Sequence, residues 1–308
     1  MSRIHEALKK AEQERAAAQG GAPLEGIPVG EMPTIKPAAA AGTTAASVAS
    51  APAPSFSTQF TFDTLLSRCT PATWHPDEKT MLFFNPQENI RGMEEFRTLR
   101  SRLYQMREKM PLKKLLISSS LPKEGKSFVA ANLAQVMVKQ HGRRVLLIDG
   151  DLRAAKLHYT LGTSSAPGLS DYLMGEADEF AVVQRAQMEN LFFIPAGRQV
   201  PSPAELVANG RLKFLLNRVE SLFDWIILDS PPAVPVSDAS LLANFCDGVL
   251  MIVRSNVTPS DMARKARQEF RDKQLIGVVL NGTDSDSSAY SRYYYGYDGN
   301  NTQGSGQR

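Results

Sequence analysis

Between Leu115 and Leu133 the chain reads LLISSSLPKEGKSFVAANL. A short apolar run, Leu115-Leu116-Ile117, enters a polar turn. The turn ends in Gly125-Lys126-Ser127, and a helix-like run, Phe128 to Val138, leaves it. A strand that feeds a tight loop and then a helix aims successive backbone N–H groups at one point, with the positive end of the helix behind them. That arrangement is a cradle for phosphate. In it Lys126 reaches the β- and γ-phosphates of ATP, and the Ser127 hydroxyl ligates Mg²⁺. The candidate nucleotide contacts are Ser120-Leu121-Pro122-Lys123-Glu124-Gly125-Lys126-Ser127-Phe128. One position departs from GxxxxGK[ST]: Ser120 stands in place of the first glycine. A Gly-Lys-Ser on a plain surface turn is the bland alternative, and the strand before it and helix after it weigh against that.

Further along, Arg144 to Ile148 is an apolar, strand-like run ending in Asp149-Gly150-Asp151-Leu152-Arg153, and Asp224 to Leu228 is another ending in Asp229. Leu191 to Pro195, Gly248 to Val253 and Ile276 to Leu280, the last ending at Asn281, also read as strands. Helical patterns fill Pro203 to Phe223, Ser237 to Phe245 and Ser260 to Lys273. Strands alternating with helices of these lengths form right-handed βαβ units, so the expected fold is α/β: a mostly parallel sheet with helices on both faces.

In an open parallel sheet, ligands bind beyond the carboxyl ends of the strands. The phosphate loop, the Asp149/Asp151/Arg153 turn and Asp229 are therefore expected to converge. Asp229 is placed to hold Mg²⁺, together with Ser127 and Asp149. Side chains alternate along an extended segment, so Asp149 and Asp151 point the same way. One can support the metal while the other takes a proton from an incoming hydroxyl, as a kinase base does. Arg153 offsets their charge or contacts phosphate. The candidate catalytic set is Lys126, Asp149, Asp151 and Asp229. A lone Asp after a strand is more often a helix cap, and that remains the alternative for Asp151.

Ser2 to Ala17 reads as a short, mostly polar helix. From Gln19 to about Ser57 the chain is rich in Ala, Pro, Gly, Ser and Thr, too poor in apolar surface to offset its ordering entropy. The expected organisation is a helix over 1–18, a disordered linker over 19–80, a folded domain over 81–283 and a flexible tail over 284–308. Glu94 to Met106 is a strong amphipathic helix with Phe96, Leu99, Leu103 and Met106 as its apolar stripe. Its Glu94, Arg97 and Arg100 lie three apart on another stripe. The tail carries Tyr290, Tyr293, Tyr294, Tyr295 and Tyr297 among Ser, Gly, Asn and Asp. Composition alone does not explain aromatics there: the functional reading is a set of acceptor hydroxyls, and the alternatives are a sticky tail that stacks on a partner or RNA, or an aggregation-prone segment.

The formal net charge of +3 is small and argues neither for nor against nucleic acid; no nucleic-acid partner is expected. The two cysteines, Cys69 and Cys246, lack metal-ligand spacing and read as buried thiols of a reducing compartment. No apolar run approaches membrane-spanning length, and the N-terminus lacks a signal-peptide core, so a cytoplasmic location is expected.

Taken together, SSSLPKEGKS, LLIDGDLR with His158 downstream, WIILDSPP and the tyrosine cluster resemble the bacterial tyrosine kinases of capsule and exopolysaccharide gene clusters. EEFRTLR is similar to that family's ExxRxxR oligomerisation motif at Glu94, Arg97 and Arg100. The resemblance runs from about Asn89 to the C-terminus. It implies a P-loop NTPase of the Min/Par superfamily that uses ATP and Mg²⁺ to phosphorylate its own tyrosine tail, between the subunits of a ring. It implies a metal and phosphate site on Lys126, Ser127, Asp149, Asp151 and Asp229, and an adenine contact at Asn281. It also implies a separate membrane adaptor that recruits the chain to the inner face of the membrane, and control of polysaccharide polymerisation and export. Two residues depart from the pattern: Lys123 where relatives commonly have Gly, and Ala155 where Pro is common. The runner-up is a positioning or partitioning ATPase, but that class carries a lysine where this chain has Leu121. A non-catalytic nucleotide-binding scaffold is the third reading.

Overall fold

The structure is a computed structural model that describes residues 60–84, 92–140, 142–185 and 187–283. In chain order the elements are α1 (Phe62–Arg68), β1 (Thr70–Pro71), α2 (Met93–Arg107), β2 (Lys114–Ser119), α3 (Lys126–Val138) and β3 (Val145–Asp149). There follow α4 (Leu157–Leu161), α5 (Leu169–Met174), α6 (Glu179–Val182), β4 (Gln184–Arg185), β5 (Leu191–Ile194), α7 (Pro203–Ala208) and α8 (Arg211–Val219). The last are β6 (Trp225–Asp229), α9 (Asp238–Ala243), β7 (Gly248–Arg254), α10 (Ser260–Glu269) and β8 (Leu275–Asn281).

The strands form one sheet in the order β1-β4-β5-β3-β6-β2-β7-β8. From β5 to β8 every pair is parallel, and β4 alone runs antiparallel to its neighbour β5. The core strands are nearly all apolar because both faces are covered. Their residues alternate strictly between two cores. Leu146, Ile148, Ile226 and Leu228 face one with α7, α8 and α9, while Leu147, Ile227, Leu115 and Ile117 face the other with α2 and α3. Successive strands lie beside β2 on one side (β6) and then on the other (β7), so the chain reverses direction across the sheet at β2. The crevice at that switch is where a ligand belongs.

The linker expected to reach residue 80 stops before Phe60. Leu65 and Trp74 are buried, α1 carries a Thr61 side-chain cap, and β1 pairs with β4. Beyond β1 the chain forms a strap. His75 and Asp77 donate backbone N–H groups to Gly162 and Thr160 at the end of α4, at 3.1 and 3.0 Å. The strap then crosses α3, where two buried amides receive it. Asn132 accepts from Leu82 N–H at 2.9 Å and donates to Thr80 O at 2.8 Å, and Gln135 accepts from Phe83 N–H at 3.2 Å. The physical reason for the misplaced boundary is that these hydrogen bonds go to distant segments, so the stretch carries no period of its own. The N-terminal helix over 1–18, the linker up to residue 59 and the tyrosine segment lie outside the described residues. Both cysteines are free thiols; Cys69 is buried and Cys246 half-buried.

Trp74 tests the strap. Its ring packs edge-on against Phe84 and Phe193. Trp74→Ala should cost about 3–5 kcal/mol in denaturant unfolding, as truncation of a buried aromatic does. An unchanged unfolding midpoint would return residues 60–84 to the linker.

Candidate active site

Three parallel strands bring the chemistry together. Register sets Asp149 of β3 opposite Asp229 of β6, and Asp229 opposite Ile117 of β2, just before the loop. The loop leaves β2 at Ser120 and turns into α3 at Gly125, which takes the left-handed φ of 95°. A Cβ there would run into the Asn281 amide, so the turn requires glycine. Lys126 and Ser127 are the first two residues of α3, at its positive end. At the other loop, a Cβ on Gly150 would come within 2.7 Å of Asp229 O, the same oxygen that Gly150 N–H binds at 2.9 Å. Glycine lets the two carboxylate-bearing ends close on each other.

Lys126 Nζ donates to Asp151 Oδ2 at 2.9 Å, and the Ser127 hydroxyl donates to Asp229 Oδ2. Asp149 is fully buried and accepts backbone N–H bonds from Asp151 and Leu157, each at 3.2 Å. Asp151 Oδ1 accepts from Ala154 N–H at 3.0 Å, so it does cap the next turn while its other oxygen faces Lys126. Asp229 Oδ1 is buried without a hydrogen-bond partner among the described residues. A buried carboxylate oxygen left open beside a serine hydroxyl is the donor set a hard cation takes up, and Mg²⁺ needs only one or two carboxylates when phosphates supply the rest. The residues therefore fit Mg²⁺.

Crowding of like charge shows in the proton affinities. Burial, with the Asp229 and Asp151 charges beside it, pushes Asp149 up to about 8. Burial also pushes Asp229 up, to about 6, against the opposing pull of Lys126 and the Ser127 hydroxyl. Burial alone would lower Lys126, but Asp229 and Asp151 outweigh it and hold its ammonium above the ordinary range.

The other candidate residues divide. Ser120 has a buried hydroxyl without a partner among the described residues, and Pro122 is exposed. Lys123 takes φ 68°, a left-handed conformation that costs a non-glycine residue about 1–2 kcal/mol. Leu121 N–H binds the Glu124 carboxylate at 2.8 Å. Phe128 stacks edge-on against Phe96 of α2 at 5.8 Å. Arg153 makes a bidentate pair with the buried Asp238 of α9, at 2.8 and 3.0 Å. Asn281 donates to Glu124 O at 2.9 Å. On α2, Glu94 and Arg97 form an exposed ion pair. Arg100 instead reaches inward and donates to Val136 O at 2.9 Å, satisfying a carbonyl in the last turn of α3. Tyr290, Tyr293, Tyr294, Tyr295 and Tyr297 lie outside the described residues. Sequence reasoning missed Asp238 and Thr258, whose partners are far away in the chain. It also missed Asn132 and Gln135, although two amides inside an apolar helix were a visible signal.

The carboxylate cluster makes stability pH-dependent. Asp149 and Asp229 bind a proton more tightly in the fold than in the unfolded chain. Their contribution is full below the unfolded carboxyl range and is lost as pH rises through about 6 and about 8. The melting temperature of the nucleotide-free protein should therefore fall between pH 5 and 8.5. Asp229→Asn should flatten that fall and raise stability at pH 8, because an amide can donate to Ser127 Oγ and carries no charge. Equal slopes for the two proteins would remove the repulsion from the account.

A family profile described as an AAA domain matches residues 123–259. The tyrosine-protein kinase YwqD of Bacillus subtilis (strain 168) is 34% identical over 206 residues, which cover 66% of this chain and 86% of that protein. Among solved structures, the kinase domain of Escherichia coli tyrosine kinase ETK superposes with a TM-score of 0.60 at 30% identity, over 64% of this chain and 77% of that one. The chimerical protein CapA2B2 superposes with a TM-score of 0.62 at 26% identity, over 71% of this chain and 96% of that one. The loop, the paired carboxylate turn and the third carboxylate thus stand on a shared P-loop fold, and the chain belongs to the family of bacterial tyrosine-protein kinases.

Proposed function

We propose that this chain is a protein-tyrosine autokinase that transfers the γ-phosphoryl group of ATP to Tyr290, Tyr293, Tyr294, Tyr295 and Tyr297 of a neighbouring copy. The observation that carries the reading is the buried Lys126–Asp151 pair at the mouth of a phosphate loop. Its two members have separate tasks once phosphate arrives. Lys126 leaves Asp151 and grips the β- and γ-phosphates. Asp151, no longer paired, accepts the phenol proton as the tyrosine oxygen attacks the γ-phosphorus. The new O–P bond forms while the bond to the bridging oxygen breaks, and ADP departs with that electron pair. Ser127, Asp149 and Asp229 would hold Mg²⁺, which would supply positive charge to the transferring group.

Mass spectrometry of the C-terminal peptide after incubation with ATP and Mg²⁺ is the test, with Lys126→Ala as the control. Asp151→Asn should lower tail labelling at least about 100-fold while leaving ATP affinity within a few-fold, the range expected for loss of a general base. Removing residues after Ala289 should abolish most labelling with ATP binding intact. ATP hydrolysis with an unmodified tail would replace the kinase by a switch ATPase.

The resemblance to the family supports a ring assembly, a separate membrane adaptor that brings the chain to the inner face of the membrane, and a role in polysaccharide polymerisation and export. Among the described residues no helix is long and apolar enough to cross a membrane. Within the assembly motif the two arginines do different work. Arg97 is exposed beside Glu94, and that pair contributes less than about 1 kcal/mol to the fold. Arg97→Ala should therefore lower the assembly state in sedimentation without moving the melting temperature. Arg100→Ala should lower both, since it uncovers the Val136 carbonyl. Unaltered sedimentation of Arg97→Ala would leave that helix face merely solvated.

A further inference from the structure

Glu124 is a carboxylate inside a loop built to receive anions, and that needs a reason. It is buried, at 3% exposure. One oxygen accepts Leu121 N–H at 2.8 Å, and the other accepts the Thr258 hydroxyl, which lies after β7. Thr258 Oγ1 in turn accepts Arg254 N–H at 3.0 Å, and the Arg254 guanidinium donates to Lys123 O at 3.2 Å. From the end of β8, Asn281 donates to Glu124 O at 2.9 Å and fills the space where Gly125 lacks a side chain. The segment 121–125 is thus fastened to the ends of two neighbouring strands. It needs fastening: Lys123 and Gly125 both sit at positive φ, and Ser120 replaces the glycine that eases this turn elsewhere.

We propose that Glu124 is a positioning residue. Its carboxylate, with Thr258 and Asn281 as its supports, holds the phosphate loop in the shape that aims its N–H groups, and neither Glu124 nor Asn281 touches the nucleotide. The inference rests on the nucleotide site proposed above and assigns two of its residues a different task. The negative charge is tolerated because each oxygen has a donor, the Leu121 N–H on one and the Thr258 hydroxyl on the other. A glutamine can serve in its place: Oε1 accepts Leu121 N–H, and Nε2 donates to Thr258 Oγ1.

The test is fluorescence titration of the full chain with a labelled ATP analogue and Mg²⁺, with GTP as competitor. Glu124→Ala and Thr258→Val should each weaken binding about tenfold, the scale of one buried charged hydrogen bond. The double variant should be no worse than Glu124→Ala, since both cut one link. Glu124→Gln should stay within about threefold of the unaltered chain, and at saturating ATP the rate of tail labelling should recover in all of them. Asn281→Ala should weaken ATP and GTP by the same factor. Unchanged affinity in Glu124→Ala, or additive losses in the double variant, would overturn the brace. A selective loss of ATP over GTP in Asn281→Ala would overturn its assignment and make that residue an adenine contact. If Glu124→Ala fails to fold by its melting curve, Thr258→Val and Glu124→Gln decide the matter alone. Absence of binding by the unaltered chain would instead overturn the nucleotide site itself.

Discussion

One ammonium and three carboxylates share the ends of three adjacent strands, largely withdrawn from water. Nothing in the interior of the sheet asks for this; its buried residues are mostly Leu, Ile, Val and Phe. Parallel pairing forces it, because β2, β3 and β6 all finish on the same side and in register. Around that concentration of charge the local chemistry falls into place. Gly150 lets the carboxylate turns close, Gly125 lets the loop turn, and the first turn of α3 points its positive end inward. Lys126 faces these acids, and one ammonium cannot neutralise three carboxylates. The cluster is strained in the electrostatic sense, and the strain has the sign that a divalent cation and a tightly held triphosphate would relieve.

Much of this was legible in the sequence because it is local. An apolar run followed by Asp, or by a loop closing on Gly-Lys-Ser, states where a strand ends and what it presents. Strand parity alone puts Asp149 and Asp151 on the same side of the chain. The opposite edge of the sheet was not legible. β1 and β4 are two residues each, too short to carry a period, and they exist only because they pair with each other and with β5. The strap belongs to the same class. Its hydrogen bonds run to Asn132, Gln135 and the end of α4, so its neighbours in sequence say nothing about its place. Composition marked the end of the biased stretch near Ser57, and the error was to extend the linker past it.

A second limit concerns polar side chains whose in-chain partners the motifs do not reveal. Arg153 pairs with Asp238, Arg100 donates to a carbonyl of α3, and Asn281 donates to a carbonyl of the phosphate loop. Motif spacing identifies residues that matter to a site but does not distinguish touching a ligand from holding what touches it. Deciding that takes the partner, and in each case the partner is between 36 and 157 positions away.

The strap has one further consequence. The helix that begins with Lys126 and the helix that follows Asp151 are each tied to the same dozen residues, through side-chain amides on one and through backbone on the other. The gap between the lysine and the carboxylate is therefore gauged by a segment that contains none of the chemistry. Transplanting the loop and the carboxylate turns alone into another sheet would carry over every reactive group and leave behind the ruler that spaces them.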